Sequence, residues 1–208
     1  MVCGLFKVIN MEQEKQLTEQ ESLQLIASMI NRAKSDYIET GISALMWGIV
    51  VMFCSFISFA NHWWQIGWID TYIWSLTFFA VLPQVIISIR ESRQKKFKAH
   101  NDDAMGGIWI SFGVTMFLLA VYTSKFQVSH QETLYLIIYG VPTFSTGVAR
   151  HFKPMVWGGI ACWLLSLISI HFIYPYTMLL MAAAALMAWF IPGLILRRRY
   201  RKLKHEHV

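Results

Sequence analysis

The sequence predicts an all-α polytopic membrane helix bundle, with six transmembrane helices arranged as three hairpins and a cytoplasmic N-terminal amphipathic helix before them. Three observations predict it. The chain is 56% hydrophobic and only 14% charged over 208 residues, whereas charged residues alone make up about a quarter of an ordinary soluble domain. It holds six apolar stretches close to the roughly 20 helical residues needed to cross a hydrocarbon core. Its cations gather in alternate gaps between those stretches. The expected divisions are a cytoplasmic segment at residues 1–40, a transmembrane domain at 41–196 and a basic cytoplasmic tail at 197–208.

The first stretch, Gly41 to Ala60, carries no charge, and the second, Ile69 to Ile89, has Asp70 at its outer edge. The third runs from Met105 to Thr123, the fifth from Met155 to Ile173 and the sixth from Tyr176 to Leu196. The fourth, Thr133 to Val148, is short and contains Pro142. Cation placement decides whether it counts, because short cytoplasmic loops carry the excess of Lys and Arg. Lys7, Lys15, Arg32 and Lys34 precede the first stretch, and Arg90, Arg93, Lys95, Lys96 and Lys98 follow the second. Arg150 and Lys153 follow the fourth, and Arg197, Arg198, Arg199, Arg201, Lys202 and Lys204 follow the sixth. Of the 18 cations only Lys125 falls on the other side. Removing the fourth helix would put the C-terminal cluster outside, so the consistent reading is six spans with both termini cytoplasmic. His62, Trp63, Trp64 and Trp68 in the first outer loop fit an interfacial aromatic belt. The net charge of +6 thus reports membrane orientation; nucleic acid is not an expected partner.

Of the three cysteines, Cys54 and Cys162 lie inside apolar stretches and Cys3 near the start, so no disulfide framework is implied. Met1 to Asn10 have neither a long apolar region nor a cleavage signature, so no removable signal peptide is expected, and Met11 is an alternative start. An internal repeat is suggested by Trp47, Trp109 and Trp157 at the inner ends of odd helices and Pro83, Pro142 and Pro192 toward the inner ends of even ones, at similar spacings. The plainer account is that Trp anchors interfaces and Pro is common in membrane helices.

Thr18-Glu19-Gln20-Glu21 reads as a capping box that starts a helix. Leu23, Ile26, Ile30, Ala33 and Tyr37 then recur at spacings of three and four and form one apolar seam. The segment is net acidic, which disfavours anionic lipid as its cover. The seam is expected to meet protein, either the chain's own basic loop or a cytoplasmic partner bound through Leu23, Ile26, Ile30 and Tyr37.

Intramembrane ionisable residues mark most proton-coupled transporters, and none lies mid-span here. Gln84, beside Pro83, is placed to satisfy the carbonyl that the proline frees. In the transport reading Gln84, Thr143, Ser145 and Thr146 line a route beside the proline breaks. His62, His130 and His171 share the outer side and are zinc or copper ligands by type, but they lack ligand spacing, so no metal site is expected. Asn101 reads as a helix cap, with Asp102 and Asp103 complementing the positive helix end. No H-E-x-x-H, G-x-S-x-G or phosphate-binding glycine loop occurs. Gly158, Cys162, Ser166 and Ser169 on the fifth helix, with Ala184 and Ala188 on the sixth, form small-residue stripes that predict close helix contact, within one chain or in a homo-oligomer. The Arg197 to Lys202 tail anchors the topology and suits anionic headgroups.

The Leu17 to Leu23 helix start, the Met46-Trp47-Gly48 opening and the Pro83-Gln84-Val85-Ile86-Ile87-Ser88-Ile89-Arg90-Glu91 exit resemble an uncharacterised family of small six-helix bacterial inner-membrane proteins. The likeness covers most of the chain and transfers no site residue or cofactor. It implies a multi-pass inner (cytoplasmic) membrane protein working alongside a regulatory partner. The expected function is a non-enzymatic interaction or regulatory role. The alternative is a small channel or transporter for a neutral or apolar solute.

Overall fold

The computed structural model of the chain describes residues 22–24, 40–94, 100–126 and 128–206. Each apolar stretch is helical. Helix α1 is Ile42–Trp64 and α2 is Gly67–Tyr72, which passes through a 3-10 turn at Ile73–Ser75 into α3, Leu76–Gln94. Then come α4 (His100–Phe126), α5 (Gln131–Ala149), α6 (Lys153–Ser169) and α7 (Tyr176–Ala185). A π turn at Leu186–Phe190 joins α7 to α8, Ile191–Glu206. Pro192 has no amide hydrogen to return to Ala188, and the wider turn before it relieves that break in the hydrogen-bond ladder.

Among the described residues, four helical stretches are long and apolar enough to cross a membrane: Ile42–Trp64, Gly67–Arg93, Ala104–Phe126 and Tyr176–Lys202. Helix α6 is apolar but has only 17 residues. It stops at Ser169, short of the expected Ile173, because Ile170 to Pro175 turn the chain back. Helix α5 is more polar, and its polar residues Glu132, Thr133, Thr143 and Thr146 are buried in the bundle. The expected cap at Asn101 is corrected, since α4 already includes His100 and Asn101 lies inside the helix. The first compact unit of the chain is Met1–Ile38. Within it residues 22–24 are helical and Leu23 is exposed; Ile26, Ile30 and Tyr37 of the expected seam lie outside the described residues.

Helices α1, α5, α6 and α7 with its π turn make up the interior, α3 leans on α1, and α4 leans on α5. Only 6% of the α3 and α4 spans is buried, against 28% for α1 and 44% for the α7–α8 span. The core gathers Val51, Leu136, Tyr139, Cys162, Met181 and Trp189 around the small residues Ala184, Ala185 and Ala188.

Glycines set the closest approaches. A Cβ on Gly158 would stand 2.6 Å from Ala188 Cα, and one on Gly48 2.9 Å from Phe190 N, so α6 and α1 both press onto the π turn. Gly147 and Gly159 do the same between α5 and α6, against Val156 and Phe144. Gly41, at the start of α1, has φ 69° and abuts the Gly193 carbonyl, which requires glycine on both counts. The small-residue stripe read on the fifth apolar stretch is thus a real contact face: Gly158, Cys162, Ser166 and Ser169 are all buried.

The repeated positions are not alike in their surroundings. Pro142 and Pro192 are fully buried and Pro83 is exposed, while Trp157 is 69% exposed and Trp47 packs on the core.

Replacing Gly158 with Ala is expected to destabilise the bundle by about 1–3 kcal/mol, the usual cost of overpacking, because the added carbon meets backbone that cannot step aside. Gly106→Ala, inside α4 and entering open space, serves as the control and is expected to leave stability unchanged or to raise it by up to about 1 kcal/mol. Unfolding midpoints in mixed lipid–detergent micelles check the pair, and equal midpoints would contradict this account of the packing.

Candidate functional site

Two features carry chemistry, one at mid-depth and one at an end. At mid-depth, the π turn presents Trp189 to the centre of the bundle, where its ring lies 4.9 Å from Tyr139, 6.4 Å from Trp47 and 6.5 Å from Phe112. Phe112 also meets Tyr139 at 5.8 Å and Trp109 at 5.6 Å. Tilted and edge-on rings of this kind add favourable quadrupole contacts to the area they bury. The two central indoles are also hydrogen-bonded. Trp189 Nε1 donates to Thr143 Oγ1 at 3.1 Å, and Thr143 donates in turn to the Tyr139 carbonyl at 2.8 Å. Trp47 Nε1 donates to Gln84 Oε1 at 3.0 Å. The cluster therefore ties α1, α3, α4, α5 and the π turn together across the middle of the bundle.

This arrangement changes the reading of the polar residues expected along a route. Gln84 accepts from an indole on α1, whereas the sequence suggested it would serve the carbonyl freed by Pro83. Thr143 is buried and used by Trp189. Thr146 is buried with no hydrogen-bond partner, and Ser145 is half-buried.

The second feature is a cavity of about 410 Å³ at the end of the bundle opposite α8. Ser58 of α1, Glu132 of α5 and Met178 of α7 line it and are buried, at 1%, 7% and 5% exposure. Trp74 of the 3-10 turn and Tyr174 of the loop before α7 supply aromatic surface. Ser129 and His130, in the turn before α5, together with Ile173 and Tyr174, are its exposed residues. Tyr174 Oη donates to the Ser58 carbonyl at 3.0 Å, which fixes the loop over α1. Thr133 and Ser169 share a hydrogen bond of 2.6 Å that pins the start of α5 to the end of α6.

Glu132 is the residue that sequence reasoning missed. It sits in the first turn of α5, where the positive end of the helix dipole favours a carboxylate and offsets part of the cost of burying it. The available signal was an acidic residue directly before the fourth apolar stretch.

The three outer histidines do not come together. His130 borders the cavity in a left-handed backbone conformation, φ 56°. His62 stacks edge-on with Trp63 and with Tyr174 at 6.1 Å, and His171 is exposed in the turn after α6. Among the described residues no group of three His, Cys, Asp or Glu side chains is placed to hold a metal ion.

No family model, curated protein or solved structure matches this chain.

Thr143→Val is expected to cost about 1–3 kcal/mol of stability, because it leaves the Trp189 N–H buried without an acceptor. Trp189→Phe carries its own cost through the cavity it leaves, but the double variant should lose less than the sum of the two single losses, since donor and acceptor are then both gone. Chemical unfolding of the two single variants and the double variant checks the coupling; simple additivity would rule it out.

Proposed function

We propose that the chain is a non-enzymatic integral membrane protein with an interaction or regulatory role. In this reading it spans the bacterial inner membrane six times, as three hairpins, with both termini cytoplasmic. The observation that carries the functional part is the closed centre of the bundle. Trp47, Phe112, Tyr139 and Trp189 fill it, and glycine contacts seal the helices around them. This weighs against a solute route past Gln84, Thr143, Ser145 and Thr146, two of which are occupied in holding the indoles.

The bare helices supply the association surface. Phe79 and Leu82 on α3 and Ile110 and Leu118 on α4 are each at least 60% exposed, and only membrane lipid or another membrane protein can cover such residues. The expected partners are therefore lipid, a second copy or another membrane protein at α3 and α4, together with a cytoplasmic protein at the N-terminal seam.

Six spans follow if α5 and α6 cross despite their polarity and length. Because α5 buries its polar residues inside the protein, its remaining surface is apolar enough to meet lipid. The basic residues support the orientation. Thr40 at the start of α1 donates to Glu91 near the end of α3, and Arg199 of α8 lies 5.3 Å from the Phe152 ring just before α6. The basic termini of α3, α5 and α8 therefore share one end, with Lys125 at the other.

Photo-crosslinking side chains at Leu82 and Leu118 are expected to give adducts with protein in native membranes, and deletion of Met11 to Asp36 should change that pattern. Absence of any adduct, together with an inert deletion, would refute the interaction role. A membrane-impermeant maleimide should label a cysteine-free background carrying Lys125→Cys in intact cells, and Arg201→Cys only after permeabilisation. Reversed labelling would overturn the orientation.

A further inference from the structure

We propose that the end cavity is a binding site for a small organic cation, an alkylammonium or quaternary ammonium ion. The inference goes beyond the interaction role and does not depend on it. The first ground is Glu132. Glu132 is only 7% exposed and lines the cavity. A carboxylate in so enclosed a place is costly to hold charged by itself, and a cation in the adjoining space would supply a counter-charge.

The second ground is the surrounding chemistry. Trp74 and Tyr174 offer aromatic surface, which attracts a positive charge through the ring quadrupole and accepts methyl or methylene groups. Ser58, 1% exposed, also lines the cavity, and its buried hydroxyl has no hydrogen-bond partner. The third ground is size. A volume of about 410 Å³ lies at the lower end of the range of small-molecule pockets, about 300–1,000 Å³. It is far too roomy for a bare metal ion, which needs several ligands at direct bonding distance. An anion is disfavoured by Glu132, and a purely apolar ligand would leave both the carboxylate and the Ser58 hydroxyl unserved.

The cavity lies at the end that carries Lys125 and away from the basic ends of α3, α5 and α8. Nothing in those basic clusters therefore competes for Glu132. Ser129 and His130, both exposed, leave the site open to water at that end. The ligand thus enters from the aqueous phase rather than through the bilayer.

The test uses the full chain in lipid nanodiscs with choline and tetramethylammonium as probes, and 3,3-dimethylbutan-1-ol as the neutral counterpart of choline. Calorimetry should show saturable binding of at least one cation, with the neutral alcohol weaker by about tenfold or more. Glu132→Gln should remove that preference, and Trp74→Leu should weaken the cations more than the alcohol. Equal affinity for choline and the alcohol would overturn the proposal by showing an apolar pocket only. No saturable binding of either cation to wild-type protein would overturn it as well. The comparison of charged and neutral probes on wild-type protein decides the matter even where a variant fails to fold.

Discussion

Helices in lipid gain nothing from hiding apolar side chains from one another, because hydrocarbon is already as apolar as leucine. What holds this bundle is the approach of backbones to van der Waals distance, and glycine is what permits it. Gly48 and Gly158 bring α1 and α6 onto the same π turn, while Gly193 brings α8 onto α1 at Leu45. Gly147 and Gly159 close α5 onto α6. The same argument explains the edges. Gly106, Gly107 and Gly113 of α4 and Gly67 of α2 face open space, so the two outer helices have no such lock. They are attached by a few side chains instead: Trp47 to Gln84 for α3, and Thr123 to Tyr135 for α4, with Phe78 and Phe117 touching between them.

Backbone and hydroxyl groups need partners inside the bundle just as apolar groups need neighbours. Many hydroxyls here turn back onto their own helix, as Ser111 does to Ile108, Thr115 to Ser111 and Ser166 to Trp163. These satisfy themselves without contributing to assembly. Others reach across: Trp163 Nε1 to the Ile137 carbonyl and Thr133 to Ser169 reinforce the α5–α6 pair that the glycines already bring close. The exceptions are informative. Ser55 and Ser58 of α1 and Thr177 of α7, toward the cavity end, and Thr146 of α5, toward the other end, are buried hydroxyls without partners.

Much of this was legible in the residues. Apolar length placed a helix in each of the six stretches, because crossing a hydrocarbon core is a matter of composition, but it missed some ends: α8 continues to Glu206, ten residues past the expected Leu196. The Gly158 to Ser169 stripe foretold a contact face because close approach has a compositional signature too. The partners were not legible. Nothing local tells Gln84 that its acceptor oxygen meets an indole nearly forty residues away, and Trp47, Trp109 and Trp157 look alike in sequence although one of them faces outward. Glu132 was hidden for a different reason: it stands at the edge of a stretch where an acidic residue reads as a loop ornament, and only the loop before α7, folded back over α1, turns that edge into an interior.

The two features have opposite demands, and the fold keeps them apart along the length of the bundle. A centre made of indoles and phenol rings excludes water, which strengthens the Trp189–Thr143 and Trp47–Gln84 hydrogen bonds. A cavity holding a carboxylate must instead stay within reach of water or of a counter-charge. Leu136 and Met181, both buried in the core, occupy α5 and α7 between these levels. They provide an apolar layer separating Glu132 from the hydrogen-bonded rings. A charge arriving beside Glu132 would therefore act first on the elements that enclose it, the 3-10 turn with Trp74 and the loop with Tyr174. The 3-10 turn leads directly into α3, one of the two helices without a glycine lock, so the element best placed to respond to a ligand is also the one least restrained by the rest of the bundle.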